Sequence, residues 1–263
     1  MTTPILEVHD LAKTFGSITA ARDITIQVPP RQTVGIIGAN GAGKTTFVNL
    51  ITGYIKPSTG RIVFEGRDIT DLSPREITRL GVCRSFQVAQ VFPTMSVLDN
   101  MAIALGVARR GAGAVWRPLR TARLLEDAQA ILARYRIADY HEALASTLPQ
   151  GVRKLLDIAM AVAADPRIVL LDEPTSGISV EEKYEIMEVV VGALRAGGLT
   201  VLFVEHDMDI VERYADRVLA FYDGTVIADG PPAETLHDEK VKEFVVGETL
   251  RRTTGASQAT AHA

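Results

Sequence analysis

The sequence predicts an α/β fold with a mostly parallel sheet covered by helices on both faces. Three observations carry this expectation. Short apolar runs alternate with stretches of helical spacing along most of the chain, which is the pattern of strand–helix–strand units. One such run, residues 33–37, ends in a glycine-rich turn that opens directly into a helical stretch at 45–51. A longer helical region, from about residue 95 to 145, interrupts the alternation and reads as a subdomain inserted into the α/β core.

In chain order, residues 5–8 and 24–28 read as strands, the second alternating with period two until Pro29 and Pro30 break it. Residues 61–64 form another strand, turned by Glu65-Gly66. Ser73-Pro74-Arg75-Glu76 carries a helix start: a Ser cap, Pro at the first helical position and Glu three residues after the cap. Helical spacing covers 97–109 and 122–135, joined by a Gly- and Arg-rich connector that holds Trp116. A helix is expected at 151–163, a buried strand at 167–171, a helix at 180–196, a buried strand at 200–204 and a short helix at 209–215. Asp223-Gly224 between two apolar runs is a hairpin signal. The expected organisation is a single domain over 1–250, with a helical subdomain at about 95–160 and a frayed tail at 251–263.

Composition narrows the function classes. The chain has 263 residues, 47% hydrophobic and 23% charged, with a formal net charge of -4. That is the make-up of a globular protein with a sizeable core. The mild acidity argues against nucleic acid as a partner. Cys83 is the one cysteine, so no internal disulfide forms, which fits a reducing compartment. The N-terminus lacks the basic-then-apolar pattern of a signal peptide. No apolar run reaches the roughly 20 residues of a bilayer span. Work at a membrane is therefore expected to go through a partner, from the water side.

Gly38-Ala39-Asn40-Gly41-Ala42-Gly43-Lys44-Thr45, followed by Thr46, is a full phosphate-binding loop pattern placed between strand and helix. Glycines let successive N–H groups curl around an anion without Cβ clashes. The helix behind the loop points its positive end at the phosphates. Lys44 supplies charge near the β- and γ-phosphates, and the Thr45 hydroxyl is a ligand for Mg²⁺. Farther along, the apolar run 168–171 delivers Asp172 and Glu173 to the end of a strand. Asp172 suits Mg²⁺, through water, and Glu173 suits a general base that polarises the attacking water.

These two motifs together resemble the ABC-type ATPases, and the resemblance runs from about residue 5 to residue 247. It implies a P-loop NTPase core, an N-terminal antiparallel β part and an inserted helical subdomain. It also implies ATP and Mg²⁺ as cofactors. Phe15 sits where the family stacks an aromatic ring on adenine. Arg84-Ser85-Phe86-Gln87 resembles the Q-loop, which gives Gln87 the role of sensing Mg²⁺ and the γ-phosphate. Ser176-Gly177-Ile178-Ser179 lies at the D-loop. Glu205-His206-Asp207 resembles the switch segment, which gives His206 the γ-phosphate contact.

Two segments depart from the family pattern. The signature loop, Leu-Ser-Gly-Gly-Gln in the family, is matched by Leu148-Pro149-Gln150-Gly151-Val152. Pro149 brings neither hydroxyl nor N–H, while Gly151 keeps a close backbone approach and Arg153 and Lys154 add positive charge. Three consequences stand open: clamping of ATP by backbone and helix dipole, pairing with a second cassette that has a full signature loop, or slow turnover at one site. Ser179 stands where the D-loop often has Asp.

Within the family, residues 81–87, 91–100, 107–123 and 228–232 most resemble cassettes of bacterial branched-chain amino-acid uptake systems, with features shared in part by cassettes for urea or short amides and by lipopolysaccharide exporters. This implies an ATP-hydrolysing subunit at the cytoplasmic face of the inner membrane. Its implied partners are transmembrane permease subunits, a second cassette in a homo- or heterodimer and, indirectly, a solute-binding protein. Residues 87–94 are the expected permease docking surface, with Val88, Val91 and Phe92 either in that socket or in the core. The alternatives are a soluble ABC ATPase outside transport and a regulatory cassette that binds ATP without turnover.

Overall fold

Period-two burial at Ile24, Ile26 and Val28, with exposed residues between them, builds the first sheet of the computed structural model. The structure describes residues 3–85, 91–110 and 121–246. These fall into two units, one made of 3–77 with 202–246 and the other of 78–201.

In the first unit, β1 (Leu6–Phe15) pairs antiparallel with β2 (Ile18–Val28) and with β4 (Thr59–Phe64), which turns into β5 (Arg67–Asp68). The order is β2-β1-β4-β5, an antiparallel part at the N-terminus. Both β1 and β2 run well beyond the stretches that alternation marks. The reason is local: Asp10 and Asp23 hold φ of 46° and 49°, and the β1–β2 register shifts between Val8 and Leu11 and again on either side of Lys13. Such bulges keep the pairing and break the period.

β3 (Thr33–Gly38) is buried along its whole length, as a strand covered on both faces must be. It pairs parallel with β9 (Arg217–Tyr222), which pairs antiparallel with β10 (Thr225–Gly230). The β9–β10 turn places Asp223 at φ 45° and Gly224 at φ 75°, the two positive angles of a type I′ hairpin. Between β3 and β4 runs α1 (Lys44–Ile51), which buries Phe47, Val48, Leu50 and Ile51. The Phe47 ring meets that of Phe221 at 5.1 Å between centroids. α7 (Met208–Tyr214) starts on Asp207, whose carboxylate accepts from the N–H groups of Asp209 and Ile210. The short helices α8 (Pro232–Thr235) and α9 (Glu239–Val241) follow, and a π-helical turn covers Lys242–Val246.

α2 (Pro74–Leu80) leads from the first unit to the second, and the capping box at its start forms as the sequence predicts. Glu76 accepts from the Ser73 N–H at 2.8 Å and from its hydroxyl at 2.6 Å. In the second unit, β6 (Val82–Ser85) pairs parallel with β7 (Ile168–Asp172). Alternation gives no sign of β6, which spans four residues with a charge among them. Helix α3 (Val97–Arg110) packs on α4 (Ala122–Arg134) and on α5 (Gln150–Ala161), and α5 packs on α6 (Val180–Ala196). The connector with Trp116 lies outside the described residues. α6 is set by its ends as well as its apolar face: Ser179 caps it, Glu181 and Glu182 fill its first turn and Arg195 its last. Strand β8 (Thr200–Val204) is fully buried. The Thr200 N–H bonds the Arg167 carbonyl before β7, and the N–H of Glu205, just past the strand, bonds Ile36 of β3. Among the described residues no helix is long and apolar enough to cross a membrane.

Candidate nucleotide site

The first unit carries the phosphate loop. β3 ends at Gly38, where an added Cβ would lie 2.6 Å from the Phe221 carbonyl oxygen, so the loop leaves the sheet through a gap that admits no side chain. Gly43 caps α1 at φ 100°, and a Cβ there would meet the Ala20 carbonyl oxygen at 2.7 Å. Gly41, at φ 85°, faces open space, so its constraint is conformational. Asn40, Gly41 and Thr45 are exposed and Thr46 is half-buried. Lys44 is 6% exposed. Its ammonium lies inside the loop, donating to the carbonyls of Gly38 at 2.6 Å and Ala39 at 3.0 Å. The loop therefore holds a buried cation at the N-terminus of a helix, with small residues around it. That arrangement takes an anion of phosphate size.

Two further predicted residues lie on this unit. Phe15 ends β1 with its ring 49% exposed, and the Lys13 ammonium sits 5.0 Å from the ring centroid. It is not core packing, and its ring is accessible for stacking. His206 follows β8 and is half-buried; its N–H bonds the Glu205 carboxylate at 3.2 Å.

The second unit carries the carboxylates and the signature loop. Asp172 ends β7, its side chain 11% exposed. The Arg84 guanidinium of β6 donates to its Oδ2 at 2.5 Å. Glu173 comes next with φ 46°, a backbone setting that costs a non-glycine residue about 1–3 kcal/mol and gathers at functional sites. Its carbonyl accepts from the Ser176 N–H, closing the turn into the D-loop. Leu148 is buried, Pro149 and Gln150 are exposed, and Gly151 is buried so close to Ile186 that a Cβ would lie 2.4 Å from its Cδ1. Gln150 lies over Gly177: a Cβ on that glycine would come 2.3 Å from the Gln150 Nε2. The segments expected as signature loop and D-loop thus approach each other within this unit, at Gln150 and Gly177. Gln87 lies outside the described residues.

Sequence reasoning missed two of these features. One is the Arg84–Asp172 pair, for which the only sequence signal is a charge inside an otherwise buried strand. The other is the capping role of Ser179, which is legible in Ser179-Val180-Glu181-Glu182 as a second capping box; its hydroxyl donates to the Glu182 carboxylate at 3.0 Å.

Comparison with known proteins shows the family. The family model described as ABC transporter matches residues 21–176. A probable branched-chain amino acid transport ATP-binding protein, LivG, of Archaeoglobus fulgidus is 34% identical over 250 residues, 92% of this chain and 95% of that one. The high-affinity LivG of Salmonella typhimurium is 33% identical over 254 residues, covering 94% of this chain and all of that one. Among solved structures, the ADP conformation of an ATP-binding cassette of an ABC transporter superposes with a TM-score of 0.82 at 32% identity, covering 92% of this chain and 98% of the other. Another, cbiO1 of Clostridium perfringens, part of an ABC transporter complex, gives 0.79 at 28% identity, covering 97% and 99%. The family model and the LivG relatives together show that the chain belongs to the ATP-binding subunits of the ABC transporters.

Proposed function

We propose that this chain hydrolyses ATP to drive uptake of branched-chain amino acids or a closely related small solute through separate permease subunits. The observation that carries the solute class is the end-to-end match with LivG proteins, which covers 94% of this chain and all of the Salmonella relative. On this reading Lys44 binds the β- and γ-phosphates and the N–H groups of Gly38, Asn40, Gly41 and Gly43 cradle them. Phe15 stacks on adenine, and His206 and Gln87 read the γ-phosphate. Glu173 accepts a proton from the attacking water.

Mg²⁺ is the metal that the donors suit. Thr45 and Asp172 offer a hydroxyl and a carboxylate, hard oxygen ligands of the kind Mg²⁺ takes alongside phosphate and water. When bound, the ion neutralises charge building on the phosphates. The chain's own part is to hold Asp172 buried and paired, and to hold Glu173 on a strained turn next to it.

Two cassettes sandwich ATP on this reading, each completing the other's site with Leu148, Pro149, Gln150 and Gly151. Pro149 offers no hydroxyl, so the clamp uses backbone or a partner cassette with a full signature loop. Docking to the permease falls on an apolar patch of the second unit. Phe92 is 48% exposed, Met95 39% and Leu144 46%. The bonds from Val97 N–H to the Ala143 carbonyl and from Ala145 N–H to the Met95 carbonyl tie the segment after Phe92 to the one around Leu144. Exposed apolar side chains clustered in this way mark a partner surface. With these partners the chain sits peripherally at the cytoplasmic face of the membrane.

The test is to tag a Glu173→Gln variant, trap it with ATP and Mg²⁺ in host membranes and identify what copurifies. Polytopic permeases and a second cassette are expected. Recovery of ribosomal or DNA-repair proteins alone would overturn the transport reading.

A further inference from the structure

The ion pair between Arg84 and Asp172 lies almost out of reach of solvent. Both side chains are almost buried, 12% and 11% exposed, whereas the Arg22–Asp223 pair is 51% and 73% exposed. Strand register explains how it forms. Arg84 stands opposite Leu170 across the β6–β7 ladder, and Asp172 lies two residues beyond Leu170, on the same face of the sheet. The guanidinium therefore reaches diagonally along that face to the end of β7. It donates to Oδ2 of that carboxylate. A carboxylate held through one oxygen by a rigid donor on the neighbouring strand is fixed in orientation.

We infer that Arg84 is a positioning residue for Asp172: it holds the carboxylate aimed from the neighbouring strand, so that metal-assisted nucleotide binding depends on β6. The inference rests on the reading of Asp172 as a Mg²⁺ ligand. The chemistry follows from what each partner does for the other. A carboxylate this buried needs a counter-ion. Arg supplies one that stays charged at every working pH and holds its acceptor in a fixed plane. Groups that orient a metal ligand from behind act on metal affinity though they never touch the ion, commonly by roughly 10–100-fold. β6 also leads directly toward Gln87, two residues past its last residue, Ser85.

The experiment measures the affinity of the purified chain for a non-hydrolysable ATP analogue, once with Mg²⁺ and once with EDTA, and takes the ratio. The variants are Arg84→Met, Arg84→Lys and Asp172→Asn. In Arg84→Met the affinity in EDTA stays at the wild-type value, and the gain from Mg²⁺ shrinks by roughly 10–100-fold. Arg84→Lys, which keeps the charge without the fork, recovers part of the gain. Asp172→Asn loses it as Arg84→Met does. Arg84→Met also melts at a lower temperature in EDTA, because it strands a buried carboxylate; Arg84→Lys keeps the fold if the methionine variant is too unstable to assay. A wild-type gain from Mg²⁺ in both Arg84 variants overturns the inference. An equal loss with and without Mg²⁺ also overturns it, since that is general damage to the fold. A wild-type chain that binds the analogue with no gain from Mg²⁺ overturns the metal-ligand reading of Asp172, and one that binds no analogue at all overturns the ATPase assignment.

Discussion

Replacing Lys44 with alanine separates its two tasks. Without nucleotide, the ammonium is buried against the carbonyls of Gly38 and Ala39, at 2.6 and 3.0 Å. A hydrogen bond to a charged group contributes roughly 1.5–3 kcal/mol net. Removing the side chain gives up both bonds but also relieves the chain of a buried charge, which offsets much of the loss. A net destabilisation of about 1–3 kcal/mol is expected, or roughly 2–12 °C in melting temperature for a chain of this size. With nucleotide, the ammonium exchanges carbonyl partners for phosphate oxygens that carry full charge. The gain on exchange is of the order of one charged hydrogen bond, so its loss weakens ATP binding by roughly 10–150-fold. The assay pairs a thermal melt of the nucleotide-free chain with a titration of a fluorescent ATP analogue. An unchanged affinity in a folded Lys44→Ala chain would refute the reasoning, because Lys44 would then serve the loop and not the ligand.

Three further outcomes are expected. Phe15→Ala weakens ATP binding by about 1–3 kcal/mol, the contribution of one base stacked on an aromatic ring, while Phe15→Trp restores it; equal affinity in all three chains removes Phe15 from the site. Glu76→Ala breaks the capping box with Ser73 and costs about 1 kcal/mol in a thermal melt, with turnover per folded chain unchanged. Burial pushes the Cys83 thiol up from 9.0 to about 11, so the native chain is alkylated at pH 8 far more slowly than the unfolded chain, whose thiolate fraction is roughly a hundredfold larger. The same shift sets a sign for stability: as pH rises from 9.0 toward about 11, the unfolded thiol ionises first and stability falls, which a melt across that window reads directly.

What could be read from the sequence is what local rules determine. The phosphate loop depends on neighbours within eight positions, so its glycines, Lys44 and Thr45 are visible as a string. The Ser73–Glu76 capping box and the Asp223-Gly224 turn are visible for the same reason. The full length of β1 was not, because Asp10 adopts a positive φ and shifts every later side chain against the period. Neither was the partner of Arg84, since Asp172 lies 88 residues away and is reached only through the parallel register of β6 on β7. Glu173 was readable as a carboxylate at a strand end, but its φ of 46° was not, because Glu-Pro pairs do not ordinarily take that setting.

The departures from the family pattern gain a physical account within the second unit. Pro149 precedes α5 as its cap residue, and its carbonyl accepts the first helical bond, from the Arg153 N–H at 3.0 Å. The N–H groups of Gln150, Gly151 and Val152 come before that bond and are the donors a helix start leaves without helical partners. Proline in this place removes a hydroxyl and one N–H and leaves those three donors intact. Gln150, standing where the family has glycine, does not crowd the helix; it leans across to Gly177, whose φ of 75° and missing side chain make room for it. Ser179, standing where the D-loop often has Asp, caps α6 through its hydroxyl. Of the four departures, Gln150 and Ser179 thus make contacts that organise this chain's own loops, Pro149 leaves the helix start as a donor of backbone N–H groups, and Val152, in place of Gln, has no structural explanation. On the proposed reading, this favours clamping of ATP through backbone over a site that has lost its function.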